Sequence, residues 1–264
     1  MSGASAAQSR REFLAGVASI GAAAALGTPV ASAQTRRSPI VLVHGAWHGG
    51  WCWQRVVDRL TAKGRTVFAP TLSGVGERSH LAGDSITLTT HIDDIVNEIK
   101  WKDLDHLVLV GHSYGGMVIT GVAERIRERI AAIAYLDAFI PSDGQSMSSL
   151  RSPTAPPLTV PMAAPPSAQA FKVNAKDVDW VNSKVTPHPT KCLTETLHVT
   201  DAYQSIREKL YVRTPAFPQP AFDAAYARCR ANREWKTSEM TCGHDLMIDQ
   251  PAEVATMIDA LATR

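Results

Sequence analysis

Hydrophobic positions alternate along the chain between short continuous apolar runs and stretches in which apolar residues recur every three or four positions. Continuous runs are typical of strands that are buried on both faces, whereas the three-to-four period is typical of one face of a helix. Six runs predict strands, at residues 40–45, 66–70, 106–111, 131–141, 209–213 and 235–240. Helical periods occur at Trp53, Val56, Val57 and Leu60, at Ile92, Ile95, Val96 and Ile99, over residues 114–128, and at Val254, Met257, Ile258 and Leu261.

Strands and helices that alternate in this way predict one doubly wound α/β domain. Right-handed crossovers make successive strands parallel within one sheet, with helices packed on it. Residues 142–200 interrupt the alternation, because they begin rich in Pro and Ala and continue as weakly patterned polar sequence. A loop this long inside a compact domain is usually functional, so we predict a lid after the fourth strand rather than a linker between domains. The core then comprises residues 35–141 and 201–264.

Residues 1–34 are predicted to be an export signal rather than part of the fold. Arg10 and Arg11 precede an apolar stretch over residues 13–30, and the small residues 31–33 follow it. A charged head, an apolar middle and a small-residue exit are typical of a secretory signal, and the paired arginines indicate the twin-arginine type. The apolar stretch is too short to favour a spanning helix. We therefore expect a mature protein without a stable membrane span, which acts in the periplasm or is secreted.

Composition narrows the classes of partner. The 264 residues are 45% hydrophobic and 20% charged, with a net charge of +2 and no long run of Lys or Arg, which gives no electrostatic case for binding nucleic acid. The four cysteines, Cys52, Cys192, Cys229 and Cys242, match no zinc-binding spacing. In an oxidising compartment a Cys229–Cys242 disulfide and four free thiols are both open interpretations. The sequence does not determine the oligomeric state.

The motif "GHSYGG" at residues 111–116 is interpreted as a nucleophile elbow. It fits G-x-S-x-G with a strand before it and a helix after it, which is the context that this motif requires. Ser113 would sit in a strained turn, so the positions two residues away must be small. Because a hydroxyl is a weak nucleophile at neutral pH, Ser113 needs a base. His244 is the candidate, since it follows the last predicted strand, whereas His188 and His198 lie in or near the lid.

Two backbone N–H groups are needed to hold the oxyanion of a tetrahedral intermediate. One is expected from Tyr114, directly after the nucleophile, and the other from Ala46 in the loop after the first strand. His44 and His48 in this loop lack a carboxylate or cysteine ligand nearby that would complete a metal site. We therefore expect neither a metal nor a cofactor.

Five segments together resemble α/β-hydrolase fold carboxylesterases, in particular bacterial pyrethroid-hydrolase-like esterases related to plant methyl esterases and hydroxynitrile lyases. The segments are "VLVHGAWHGGWCW", "PTLSGVGERSHL", "VGHSYGGMVITGVA", "YLDAFIP" and "GHDLMIDQP". The similarity begins at about residue 39 and excludes the lid. It implies hydrolysis of an ester without a cofactor, by a Ser–His–acid triad under a small cap. The lyases carry threonine where Gly45 stands and lysine where Asp245 stands, which disfavours cyanohydrin cleavage.

The triad acid is the point on which the sequence departs from the commoner pattern of this family. Most members carry the acid after the penultimate strand, here residues 209–213, but no acidic residue follows until Asp223, inside a predicted helix. The alternative is Asp137 at the end of "AAIAYLD", a position that some lipases and dehalogenases of the fold use. A carboxylate in an apolar strand needs a partner, which the triad histidine would supply. We favour Asp137, keep Asp223 as the alternative, and interpret Asp245 as a surface or loop residue.

The sequence thus predicts a serine carboxylesterase that acts on hydrophobic small-molecule esters through Ser113, His244 and Asp137. Hydrolysis of lactones and perhydrolysis would use the same residues and stay open. A non-catalytic ligand receptor of the same fold is an alternative from another class, since some plant relatives of the fold signal through lid movement. In the lid, Met162, Phe171 and Trp180 could line the pocket or form the core of the lid.

Overall fold

The computed structural model describes residues 37–151 and 158–263, and the predicted export signal lies outside them. In chain order the strands and helices are β1 (Ile40–Val43), α1 (Gln54–Ala62), β2 (Val67–Phe68), α2 (Leu88–Trp101), β3 (Leu107–His112), α3 (Gly115–Ile126), β4 (Ile130–Leu136), α4 (Met147–Arg151), β5 (Met162–Ala163), α5 (Val178–Lys184), β6 (His188–Pro189), α6 (Thr190–Thr194), β7 (Glu208–Arg213), α7 (Pro220–Ala231), β8 (Trp235–Glu239), α8 (Leu246–Asp249) and α9 (Pro251–Leu261). Short 3₁₀ helices cover Gly50–Trp53, Gly76–Leu81, Arg127–Arg129 and Ala202–Ser205.

Six strands form one sheet in the order β2-β1-β3-β4-β7-β8, and every neighbouring pair is parallel. This confirms the predicted α/β architecture. All residues of β1 and β3 are buried, as expected for central strands that are covered on both faces. The helices flank the sheet, with α1 packed against α9 and α2 against α3. The carboxyl ends of β1, β3 and β4 lie side by side, so the loops that follow them meet at one edge.

The fourth strand is shorter than the sequence predicts, since it ends at Leu136 and not at residue 141. Asp137 has φ +46, which turns the chain out of the extended conformation, while its N–H still donates to the carbonyl of Val212 at 2.7 Å. The apolar residues that follow, Ala138, Phe139 and Ile140, are buried without belonging to the strand. A run of apolar residues indicates that the segment is buried, but it does not distinguish a buried strand from a buried loop.

Between β4 and β7 the chain forms a group of short elements, α4, β5, α5, β6 and α6, which we call the cap. Strands β5 and β6 pair antiparallel, with Ala163 opposite His188. The cap is bonded to the loops of the core: the indole N–H of Trp47 donates to the carbonyl of Ala163 at 3.1 Å, and the N–H of His244 donates to the carbonyl of Phe171 at 2.8 Å. These bonds fix the cap over the carboxyl edge of the sheet.

Two further observations concern the predictions about a membrane span and about a disulfide. Among the helices of the described residues, none has the length and apolar character needed to cross a bilayer. The four cysteines are free thiols, three of them buried and Cys242 partly exposed, so the Cys229–Cys242 disulfide is not formed.

Candidate active site

Ser113 directly follows β3 and has φ +53, a left-handed backbone conformation that residues other than glycine rarely adopt. The turn is held by hydrogen bonds, since the N–H of Ser113 donates to Leu136 and its carbonyl accepts from Phe139. Glycine is required at position 115 for a steric reason, because a Cβ there would lie 2.7 Å from the carbonyl oxygen of Val43. A residue held in strain by its surroundings is typical of a nucleophile elbow.

His244 lies in the loop between β8 and α8 and is buried. Its Nδ1 is 2.6 Å from Oδ2 of Asp137, although the two residues are 107 positions apart. Both Ser113 and His244 line the same cavity, of about 180 Å³. The structure therefore brings the predicted acid to the predicted base, and the base to the cavity of the predicted nucleophile. That is the order of contacts that a Ser–His–acid triad needs.

Asp137 is fully buried and its carboxylate faces only donors. Oδ2 accepts from His244, and Oδ1 accepts from Nη1 of Arg213 at 2.6 Å and from the N–H of Thr214 at 3.0 Å. Burial by itself would raise the pKa of Asp137, but the hydrogen bond from His244 and the charge of Arg213 outweigh it and lower the pKa. The group is therefore a carboxylate that can keep a proton on Nδ1 of His244.

The alternative acid, Asp223, lies in α7 with a side chain that is 63% exposed. Its Oδ1 accepts from Nε of Arg213 at 2.9 Å, on the other side of the guanidinium from Asp137. The structure therefore does not bring Asp223 to His244. Sequence reasoning missed Arg213, which is 2% exposed and lies between the two carboxylates. The readable signal was an arginine at the end of the apolar run 209–213.

The two expected oxyanion donors lie beside the nucleophile. Gly45 is so close to Ser113 that a Cβ there would lie 2.9 Å from the serine Cβ, which places the adjoining Ala46 peptide at the nucleophile. Within residues 37–151 and 158–263, the N–H groups of Ala46 and Tyr114 donate to no protein acceptor. Both are therefore available to an oxygen atom of a bound ligand.

The cavity is mostly apolar, with five Trp and Phe rings and four polar side chains. Phe217 stacks on the ring of His244 at 4.2 Å between centroids, with 19° between the planes. The described residues that line the cavity are Trp47, Ser113, Phe139, Met147, Arg151, Pro166, Ala170, Phe171, Phe217, Gln219, Phe222 and His244. Of the three lid residues considered from sequence, only Phe171 is among them. Trp180 instead packs edge-on against Trp51, and Met162 pairs with Pro189 in the cap. Phe217 and Phe222 come from the loop after β7 and from α7, which sequence reasoning had considered only for an acid.

Asp245 lies in the loop before α8, which agrees with its interpretation as a surface or loop residue, but it is fully buried, so the surface part of that interpretation is wrong. Its Oδ2 is 3.1 Å from Nε2 of His48, and the pKa of Asp245 is lowered to about 2, because the charge of His48 and its hydrogen bond outweigh the large effect of burial. Sequence reasoning compared Asp245 only with its neighbour His244. Its actual partner is 197 positions away.

In the part of the chain that the structure describes, one group of side chains has the residue types of a metal site: His91, His188 and Cys192, whose ligand atoms lie within 4.8 Å of one another. Among the described residues, three of the four ring nitrogens have a hydrogen-bond partner, and the fourth, Nε2 of His188, is buried without one. Nε2 of His91 faces the carbonyl of Ser73 at 2.8 Å and its Nδ1 faces the hydroxyl of Tyr114 at 2.9 Å. Nδ1 of His188 accepts from the N–H of Trp47, so the proton of the neutral ring is on Nε2. Neither ring thus presents a free lone pair, which argues against a cation between them.

Known proteins are similar to this chain in sequence and in fold. The model of the Alpha/beta hydrolase family matches residues 40–257. A carbendazim hydrolyzing esterase of Nocardioides sp. (strain SG-4G) is 37% identical over 237 residues, which cover 84% of this chain and 98% of the relative. Methylesterase 1 of Arabidopsis thaliana is 34% identical over 119 residues, 44% of this chain and 45% of the relative.

Solved structures share the fold at low identity. An extracellular alpha/beta-hydrolase from a Paenibacillus species superposes with a TM-score of 0.70 at 24% identity, covering 85% of this chain and 98% of that one. The pyrethroid hydrolase PytH superposes with a TM-score of 0.65 at 18% identity, covering 86% and 97%.

Proposed function

Because the chain belongs to the Alpha/beta hydrolase family, we propose that it is a serine carboxylesterase that uses Ser113, His244 and Asp137 on hydrophobic small-molecule esters. Hydrolysis of a carboxylic ester follows from the family and from the esterases among its relatives. The assignment of the triad is supported by one observation above all: Nδ1 of His244 lies 2.6 Å from a buried carboxylate while its ring lines the cavity of Ser113.

In the proposed reaction the hydroxyl of Ser113 adds to the ester carbonyl carbon while Nε2 of His244 takes its proton. The N–H groups of Ala46 and Tyr114 hold the resulting oxyanion. When the tetrahedral intermediate collapses, the C–O bond to the alcohol breaks and His244 returns the proton to the leaving alcohol. Water then adds to the acyl-enzyme with the same base, and the carboxylic acid leaves as Ser113 regains its proton. Asp137 keeps the proton on Nδ1 throughout and offsets the charge of the imidazolium.

The aromatic cavity supports a flat, hydrophobic substrate. Phe217 and Phe222 lie nearly parallel to the ring of His244, each at 19° to its plane, so the cavity wall favours a planar group that packs against an aromatic face. Arg151 and Gln219 supply the polar side chains of the lining besides Ser113 and His244. Since the relative of 37% identity is named for hydrolysis of carbendazim, we include that compound among the proposed substrates.

The test is turnover of a panel of p-nitrophenyl esters of increasing acyl length, together with carbendazim. A fluorophosphonate probe should label the parent protein on Ser113, and Ser113→Ala should abolish both labelling and turnover. Ser146→Ala is the matched control, since Ser146 is a buried serine whose hydroxyl bonds only within its own turn. Absence of turnover over the whole panel, with no label on Ser113, would refute the proposal.

We also propose that residues 1–34 direct export by the twin-arginine route, on the pattern of Arg10, Arg11 and the apolar stretch after them. A fusion of residues 1–34 to a reporter that must fold before transport should appear in the periplasm of a bacterial host. Replacement of both arginines by lysine should retain the reporter in the cytoplasm. Export that is unaffected by this double replacement would contradict the twin-arginine assignment.

A further inference from the structure

The peptide unit between Ala46 and Trp47 is held at both ends by buried histidines. The carbonyl oxygen of Ala46 is 2.8 Å from Nδ1 of His48, and the N–H of Trp47 donates to Nδ1 of His188 at 3.2 Å. Trp47 has φ +66, so the loop turns through a strained conformation at this point. Fixing this peptide plane fixes the rotation of Ala46, whose own N–H is the proposed oxyanion donor.

Hydrogen-bond chemistry determines the protonation of His48. Nδ1 faces a backbone carbonyl, which can only accept, so it must carry a proton. Nε2 faces Oδ2 of Asp245 at 3.1 Å, and that carboxyl is ionised, so Nε2 must also carry a proton. His48 is therefore an imidazolium between two acceptors. In agreement, the pKa of His48 is raised, since the charge and hydrogen bond of Asp245 outweigh the opposing effect of burial.

The backbone connects the His48–Asp245 pair to the catalytic histidine, because Asp245 is the residue after His244. A second contact ties the same loop down, since Nε2 of His112 donates to the carbonyl of His244 at 3.0 Å. The His48 and Asp245 side chains are 1% and 0% exposed. The other titratable groups around the pair are the rings of His44, His112, His188 and His244 and the thiol of Cys52.

We propose that His48 and Asp245 form a buried imidazolium–carboxylate pair that positions the oxyanion loop against the loop of the catalytic histidine. Through Nδ1 the pair aims the Ala46 peptide, and through Asp245 it sets the spacing between that peptide and His244. His48 and Asp245 are thus positioning residues that do not touch the substrate. The inference rests on the proposed function for its kinetic consequence, but the protonation of His48 does not.

Two replacements of His48 separate the two bonds. The amide nitrogen of asparagine occupies nearly the place of Nδ1, so His48→Asn retains the donor to Ala46 and loses Asp245. The longer glutamine places its amide nitrogen near Nε2, so His48→Gln retains Asp245 and loses Ala46. We expect His48→Gln to lower kcat at least about tenfold with KM within about twofold, and His48→Asn to keep kcat within about threefold of the parent.

Thermal stability should follow the other bond. His48→Asn leaves the buried carboxylate of Asp245 without its partner, so we expect it to have the lower Tm of the two variants. Asp259→Asn is the control, because it removes the charge that pairs with the buried side chain of Arg65 far from the site; it should lower Tm and leave kcat unchanged. If kcat instead falls in proportion to Tm across the three variants, the pair has only a structural role and the positioning proposal is overturned.

A spectroscopic measurement tests the pair without reference to turnover. In protein labelled with ¹⁵N-histidine at pH 7.5, the ring signals that disappear in His48→Asn should belong to an imidazolium with both nitrogens protonated. A ring with one protonated nitrogen would overturn the ion pair. A parent protein that hydrolyses no ester would refute the proposed function alone, and the ¹⁵N signals would still decide the pair.

Discussion

Replacement of Asp137 by asparagine is the most direct test of the triad. The carboxylate faces three donors, namely Nδ1 of His244, Nη1 of Arg213 and the N–H of Thr214. Asparagine offers one accepting oxygen and one donating amide group, so every orientation sets a donor against a donor. The positive charge of Arg213 and the fixed N–H of Thr214 both attract the oxygen. The amide then faces Nδ1 of His244, which must become an acceptor, and the ring proton moves to Nε2.

That tautomer cannot take the proton of Ser113. In serine proteases the corresponding change lowers kcat by about 10⁴, and the remaining catalysis comes from the oxyanion hole and binding. We therefore expect Asp137→Asn to lower kcat/KM by about 10² to 10⁴, which corresponds to about 3 to 5 kcal/mol of transition-state stabilisation. Stability falls as well, because breaking a buried ion pair costs about 3 to 5 kcal/mol. Arg213 keeps its bonds to Asp223 and to two carbonyls, which favours the lower end of that range.

The assay compares kcat/KM on p-nitrophenyl acetate with the urea midpoint of unfolding. Asp223→Asn is the matched control, since it removes the same charge from the same guanidinium but from an exposed site without contact to His244. We expect it to stay within about threefold of the parent in kcat/KM, as is usual for an exposed ion pair. Equal losses in both variants, or a loss confined to Asp223→Asn, would refute the assignment of Asp137.

Four further predictions concern other parts of the site. The pKa values of His44 and His112 are lowered to about 3 and that of His91 to about 4, chiefly by burial, so these rings are neutral in the fold and protonate near pH 6.5 when unfolded. Stability should therefore fall as pH drops below 6.5, by about 2 kcal/mol per ring at pH 5, and equal urea midpoints at pH 7.5 and 5 would contradict this. Gly45→Thr should lower kcat/KM at least about tenfold, because a Cβ there lies 2.9 Å from that of Ser113 and 3.0 Å from Nδ1 of His112; unchanged labelling by a fluorophosphonate would argue against the crowding. Phe217→Ala removes a face from the ring of His244 and enlarges the cavity, so activity on long acyl esters should rise relative to short ones; a constant ratio would exclude Phe217 from the acyl site. Titration of thiols with Ellman's reagent should find four after unfolding and little reaction before it, since burial raises the pKa of each; two thiols after unfolding would indicate a disulfide.

Much of the fold could be predicted from the chain because its signals are local. The continuous apolar runs of β1 and β3 and the three-to-four period of α2 and α9 depend only on which face each segment buries. The glycines around Ser113 are equally local, since a strained turn excludes larger neighbours wherever it occurs. The end of β4 is different. Ala138, Phe139 and Ile140 are buried under the active site, and an apolar run does not distinguish that environment from a strand.

The parts of the site that sequence left open depend on pairs of residues far apart in the chain. Asp137 directly follows β4 and Asp223 lies in the helix after β7, and only the folded structure shows which of the two faces His244. The same holds for Asp245 and His48, which are separated by 197 positions. Hydrophobic periodicity carries no information about such pairs, because a buried charge is selected by its partner and not by its neighbours in sequence.

The charges around His244 explain why both acidic candidates are present. The triad carboxylate, Asp137, follows β4, and the end of β7 carries Arg213 instead of an acid. The guanidinium of Arg213 neutralises Asp137 while His244 is uncharged. When His244 becomes an imidazolium during acyl transfer, the nearby positive charge of Arg213 would oppose it. Asp223 binds the far side of Arg213 and offsets that charge from an exposed position. Asp137 therefore acts on the histidine directly, and Asp223 acts only on the arginine behind it, which is why the two replacements should differ in rate although they remove the same charge.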